Sequence, residues 1–160
     1  AVIGSKKRGK TTFTMERVKA IQTASVKPVP LHVFDKYGEW GAGKLPPMDD
    51  FLDKVQKAER SIAVFEDAGI FFSNRGRSER LEDILTSSRH SKVTTFLLFH
   101  SLRALPAYVI EQLDGIELFK TKDNPLTVRR KFDEWPAIYE AWHRVNDAPG
   151  FHAHTYIPIE

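Results

Sequence analysis

Gly4-Ser5-Lys6-Lys7-Arg8-Gly9-Lys10-Thr11 satisfies the pattern G-x-x-x-x-G-K-[ST] at every fixed position. That spacing belongs to a turn built to hold phosphate. Two glycines let the backbone curl with its N–H groups pointing inward, around an anion. Lys10 brings a compact positive charge to the terminal phosphates, and the Thr11 hydroxyl is a ligand for the Mg²⁺ that accompanies them. The flanks fit. Ala1-Val2-Ile3 is a short apolar run suited to a buried strand end, and Thr12 onward predicts a helix with Met15, Val18 and Ile21 near helical spacing. Only three residues precede the turn, too few for an ordinary first strand, which suggests a longer natural N-terminus.

Working outward, Ser61-Ile62-Ala63-Val64-Phe65-Glu66-Asp67 is the second informative stretch. Its continuous apolar run predicts a strand buried on both faces of a parallel sheet. Two carboxylates close it, at the strand end where open α/β sheets place their ligands. This is the form of a Walker B element, about 55 residues after the phosphate turn. One acid would hold Mg²⁺ and the other would orient and deprotonate the attacking water.

Strands predicted at 1–3, 31–34, 61–65, 93–99 and 116–119 alternate with helices, as in a doubly wound parallel sheet. Between them, 35–47 reads as a loop with Gly38, Gly41 and Gly43. Asp49 or Asp50 would cap a helix burying Phe51, Leu52 and Val55. Ser73–Arg80 reads as a basic turn, with Ser78 capping a helix through Leu81, Ile84 and Leu85. Pro106 opens a helix that includes Val109, Ile110 and Leu113 and stops at Gly115. A short helix follows Asn124-Pro125, and a last one carries Ile138, Tyr139, Trp142 and Val145. Phe151–Ile159 alternates as a strand, which would turn His152 and His154 the same way; no third ligand lies nearby.

Composition sets bounds. The chain has 160 residues, enough for one well-buried core, so 1–160 is read as a single domain. It has no cysteine, which excludes disulfides and thiolate metal sites and fits a reducing interior. No apolar run approaches a membrane span, and no secretory signal stands at the start. The expected location is cytoplasmic. Net charge is only +3, but residues 1–30 hold Lys6, Lys7, Arg8, Lys10, Arg17, Lys19 and Lys27 against Glu16 alone. A phosphate site explains part of that excess, and a polyanionic partner or a solvated basic face the rest.

The residues Gly4–Thr11, Ile62–Asp67, Arg89-His90 and Phe99-His100-Ser101 resemble the ASCE division of P-loop ATPases. There, an extra strand ending in a polar sensor lies between the two Walker strands. Within that division the chain is similar to the FtsK/HerA superfamily, and above all to small viral DNA-packaging ATPases. The resemblance covers about residues 1–120 and implies a three-layer, doubly wound, mainly parallel sheet.

It also implies roles. Gly4, Ser5, Lys6, Lys7, Arg8, Gly9, Lys10, Thr11 and Thr12 would contact ATP, with Thr11 and Glu66 on Mg²⁺. Asp67 stands where the family has its catalytic glutamate, and His100 where it has a sensor of the terminal phosphate. Arg89 stands where ring-forming members offer an arginine to a neighbour, with Arg75, Arg77, Arg80 and Arg103 as other candidates. One of Lys6, Lys7 and Arg8 could instead reach the terminal phosphate within the same subunit. The acids run Glu-Asp, opposite to the family's Asp-Glu. The implied protein is a homo-oligomeric ring, pentamer or hexamer, moving double-stranded DNA into a capsid through a portal vertex. Arg75, Arg77 and Arg80, or the loop 38–44, would line its channel. Two other readings stand beside it. One is a small-molecule kinase whose arginine-rich lid is Ser73–Arg80. The other is a phage assembly or secretion NTPase resembling zonula-occludens-toxin-like proteins, which usually carry a membrane segment.

Overall fold

A computed structural model describes residues 1–41, 45–73, 75–133 and 135–159. The elements in chain order are β1 (Val2–Ile3), α1 (Lys10–Ala24), β2 (Leu31–Phe34), α2 (Met48–Gln56), β3 (Ile62–Phe65), α3 (Arg75–Ser91), β4 (Thr94–Phe99), α4 (Ala107–Ile110), β5 (Gly115–Phe119), α5 (Trp135–Asp147) and β6 (His154–Pro158). Short 3-10 turns stand at Ala68–Ser73, Leu102–Ala104 and Pro125–Lys131. The chain forms two compact units, Thr11–Leu98 and Ala1–Lys10 with Phe99–Glu160.

In the unit Thr11–Leu98, β2, β3 and β4 run parallel side by side. Val33 pairs with Val64 and Ala63 with Thr95. Parallel neighbours need crossovers, and α2 and α3 supply them. β3 is apolar throughout and wholly buried, as a strand covered on both faces must be. Its core is aromatic. Phe34, Phe51, Phe65 and Phe71 are buried, with ring centroids 4.9 Å apart for Phe34–Phe71, 5.1 Å for Phe51–Phe65 and 5.2 Å for Phe65–Phe71. These near-perpendicular contacts set positive ring edges against negative faces, each adding about 0.5–1.5 kcal/mol beyond simple burial. Helix α1 buries Thr14 and Val18, with Met15 and Ile21 half-buried.

Two expectations for this unit are corrected. Ser73–Arg80 is not a basic turn: α3 already runs from Arg75, so Ser78 lies inside it and caps nothing. A strongly charged first turn hid the helical period, and α2 supplies the missing support. Arg77 bonds Asp49, and Arg80 bonds Asp49 and Asp53. Likewise α2 starts at Met48 after Pro47 with no side-chain cap, leaving Asp49 and Asp50 in its first turn, where they favour the helix dipole.

In the other unit, β1 and β5 are parallel, with Val2 opposite Glu117, and β6 is antiparallel to β5, with Ile157 opposite Ile116. Helix α5 buries Ile138, Ala141 and Val145. Gly115 opens β5 instead of ending a helix, and α4 stops at Ile110, short of Leu113. The final strand is shorter than its alternation predicts. Phe151 and His152 sit in a turn, so His152 and His154 do not share a strand face. His154 bonds Glu117 and stacks on Phe119 at 4.7 Å, which uses its ring in the fold.

Candidate active site

The turn after β1 is held from below by backbone contacts. Gly4 N donates to Phe99 O at 3.1 Å and Ser5 N to Lys120 O at 2.9 Å. A side chain at Gly4 would put its Cβ 2.6 Å from that of Phe119, so only glycine lets the chain pass. Lys7 and Gly9 both take left-handed conformations, with φ of 61° and 92°. These torsions curl the turn onto the start of α1, where the first N–H groups of a helix have no intrahelical acceptor. At Gly9 the constraint is double, because a Cβ would also stand 3.0 Å from His152 Nδ1.

Lys10 folds back into this turn. Its side chain is 6% exposed, its Nζ donates to Ser5 O at 3.2 Å, and it lies 3.4 Å from His100 Nδ1. An ammonium facing Nδ1 favours the tautomer whose lone pair is there. A cavity of about 430 Å³ opens beside the turn, lined by Ser5, Lys6, Lys7, Arg8, His100, Lys122 and Phe151. Its charge is overwhelmingly cationic, the sign a polyphosphate needs.

The acids occupy the other unit. Glu66 follows β3 directly, is 7% exposed, and donates its N–H to Phe34 O at 3.0 Å. Its carboxylate accepts from Trp40 Nε1 at 3.0 Å, and Thr11 lies close by. The Thr11 hydroxyl donates to Glu39 Oε2 at 2.8 Å. Burial pushes the Glu66 pKa up, the Trp40 and Thr11 hydrogen bonds oppose that, and nearby Glu39 and Asp35 add to it. Asp35, at the end of β2, accepts from Tyr37 N at 3.0 Å and Trp40 N at 2.7 Å. It thereby folds the loop so that the Trp40 indole meets Glu66. Asp67 adopts φ of 50°, and its negative charge, together with a hydrogen bond, holds the Tyr37 phenol above its usual range.

This donor set fits Mg²⁺. Thr11 and Glu66 offer hard oxygens, and a buried carboxylate crowded by two others is relieved by a divalent cation. No group of three or more His, Asp or Glu side chains poised to hold a metal exists among the described residues. Mg²⁺ does not demand one, since it takes one or two protein ligands and completes its shell with water and phosphate.

The structure thus groups Gly4–Lys10 with His100 in one unit, and Thr11 with Glu66 in the other. Thr12 is exposed on α1, and Asp67 lies beside Tyr37. Arg89 is exposed in the last turn of α3, and Arg103 is exposed in a 3-10 turn. Arg77 and Arg80 are engaged with α2. The channel expectation for loop 38–44 falls partly on 42–44, outside the described residues. Sequence reasoning missed Asp35, Glu39 and the Trp40 bond to Glu66. An acid directly after β2, level with the acids after β3, was the available signal.

No protein-family model matches the chain, and no curated protein matches it. In fold it is similar to the genome packaging NTPase B204 from Sulfolobus turreted icosahedral virus 2. The structure of that protein in complex with AMPPCP aligns at a TM-score of 0.73 and 17% identity, covering 99% of this chain and 90% of that one. Its complex with ATP-gammaS gives 0.71 and 17% over the same shares. The crystal structure of B204, the DNA-packaging ATPase from Sulfolobus Turreted Icosahedral Virus, gives 0.69 and 16%, again over 99% and 90%. The fold is therefore the mixed α/β, mainly parallel architecture expected from the sequence, shared along nearly the whole chain with a packaging NTPase. No helix among the described residues is long and apolar enough to cross a membrane.

Proposed function

We propose that this chain is an ATPase that hydrolyses Mg-ATP to move double-stranded DNA, in viral genome packaging, as a homo-oligomeric ring in the host cytoplasm. The observation that carries the reading is the phosphate cradle, with Lys10 drawn into the turn against Ser5 and His100. The likeness in fold to B204, solved with AMPPCP and ATP-gammaS, supports both the nucleotide and the packaging role. Residues 1–160 act in this reading as one ATPase domain.

Each side chain then has a task. The N–H groups of Gly4–Lys10 and the Lys10 ammonium bind the β- and γ-phosphates and balance charge that builds on them during transfer. Thr11 and Glu66 would hold Mg²⁺, whose positive charge supplies Lewis acidity at the phosphates. Since Thr11 follows Lys10 in the chain, one helix start serves both phosphate and metal. Asp67 orients the attacking water and accepts its proton. His100 hydrogen-bonds the terminal phosphate. Arg89, exposed at the end of α3, serves the nucleotide of a neighbouring subunit; such a finger is worth about 10³–10⁵ in rate.

The test is phosphate release by the purified protein with ATP, in Mg²⁺ or EDTA, with and without duplex DNA, alongside its mass in solution. Mg²⁺-dependent release that duplex DNA stimulates, from an oligomer, is expected. Transfer of phosphate to a small acceptor in place of water would overturn the motor reading. Mixing Arg89→Ala with Lys10→Ala subunits tests the shared arginine: partial recovery of activity is expected, and none at any ratio rejects it.

A further inference from the structure

The phosphate cradle has an aromatic neighbour that phosphate chemistry does not use. Phe151 lies in the turn before β6 and is 54% exposed, although it sits among polar and cationic groups. The Arg8 guanidinium lies over its ring, 4.2 Å from the centroid, and the His152 ring meets its edge at 5.0 Å. Exposing a large aromatic ring to water is unfavourable and stabilises nothing in the core. Held flat by a guanidinium beside an anion site, it has the form of a stacking surface.

Its surroundings extend the argument. Phe151 lines the same cavity as Ser5, Arg8 and Lys122, so the ring and the phosphate turn share one space. A second cavity of about 230 Å³ adjoins through Ser5, Arg8 and Lys122 and reaches Lys120, Thr121 and Asn146. Lys122 N donates to the Ser5 hydroxyl at 3.3 Å, which fixes the strand-end loop after β5 against the turn. A ligand with a polyanionic end and a flat aromatic end matches this layout.

From this geometry we infer that Phe151, backed by Arg8, is the stacking platform for the base of the nucleoside triphosphate whose phosphates occupy the Gly4–Lys10 turn. The inference rests on the proposed function for its phosphate site. It adds where the base lies and why one aromatic residue stays exposed. Stacking needs only a π-face, so this platform accepts any base, and discrimination falls to other groups. It also assigns Arg8 to the base and not to the terminal phosphate, so Lys6 and Lys7 are the loop cations left for that role.

The experiment compares ATP with inorganic tripolyphosphate, which has the phosphates and no base. Both dissociation constants are measured in Mg²⁺ for the parent, Phe151→Ala and Phe151→Trp. Because Phe151 lies in an exposed turn, these variants should fold normally, which melting curves will check. Phe151→Ala is expected to weaken ATP roughly 5- to 100-fold, with tripolyphosphate unchanged and Phe151→Trp close to the parent. If Phe151→Ala leaves ATP affinity intact in a protein that binds tripolyphosphate, the platform is refuted while the phosphate site stands. Equal weakening of both ligands refutes it too, since the ring then merely props the turn. A loss of duplex DNA affinity with ATP binding untouched would assign the ring to DNA and overturn the inference. A parent that binds neither ligand removes the phosphate site, and the inference with it.

Discussion

The turn after β1 and the acidic cluster at the ends of β2 and β3 both gather polar groups at strand termini, but different forces hold them in place. The turn is fixed by backbone torsions and main-chain bonds, with left-handed residues at Lys7 and Gly9 and anchors from Gly4 and Ser5. The acidic cluster depends on side chains: Asp35 shapes a loop, the loop aims Trp40, and Trp40 bonds a buried Glu66. It is also electrostatically uncomfortable, since burial and neighbouring carboxylates both raise the pKa of Glu66. One region is fixed by its own main chain. The other crowds like charges around a buried acid.

That contrast is open to direct attack, beginning with the largest effect. Lys10→Ala removes the one buried cation of the turn while leaving its torsions intact. ATP hydrolysis should fall about 10²- to 10³-fold with an unchanged melting temperature, measured by phosphate release and calorimetry. A preserved rate would end the claim that the turn acts through Lys10. Trp40→Phe should matter less. It keeps the ring and deletes the N–H donor to Glu66, a bond to a charged group. Hydrolysis should drop about tenfold, and the acid limb of its pH profile should move to higher pH, because the lost bond is one that holds the Glu66 pKa down. An unmoved limb would separate Trp40 from the chemistry.

The smallest effect is on stability. The Glu66 pKa is raised in the folded protein, so the native state holds that proton more tightly than the unfolded chain. Its contribution is fully present below the ordinary carboxylate range and is lost as pH rises through the folded value. Without Mg²⁺, Glu66→Gln should therefore flatten the decline in melting temperature above that range and melt slightly higher than the parent near neutrality. Melting scans in EDTA across acid to neutral pH check this. A parent that instead gains stability through that window would show Glu66 to be comfortable without metal.

The two regions also differ in how plainly the sequence announced them. Gly4 and Gly9 are required by a close approach and by positive torsions, so local letters specify that turn. β3 was equally readable because a strand covered on both faces needs an unbroken apolar run. The bond from Trp40 to Glu66 spans 26 positions and has no local signature; only the pairing of β2 with β3 brings the two together. The start of α3 failed for a related reason. Arg77 and Arg80 look like loop residues until Asp49 and Asp53 appear opposite them. At the other end of the chain, period-two alternation continued through Phe151 and His152, although both belong to the turn beside Arg8 and Gly9.

Asp67 shows what such constraints do to the spelling of a site. Its φ of 50° falls in the left-handed region, where aspartate and asparagine are enriched among non-glycine residues. Glu66 stands directly after β3, and the compact Asp67 takes the bend that follows it. A longer acid at position 67 would have to hold a torsion that aspartate and asparagine adopt more readily.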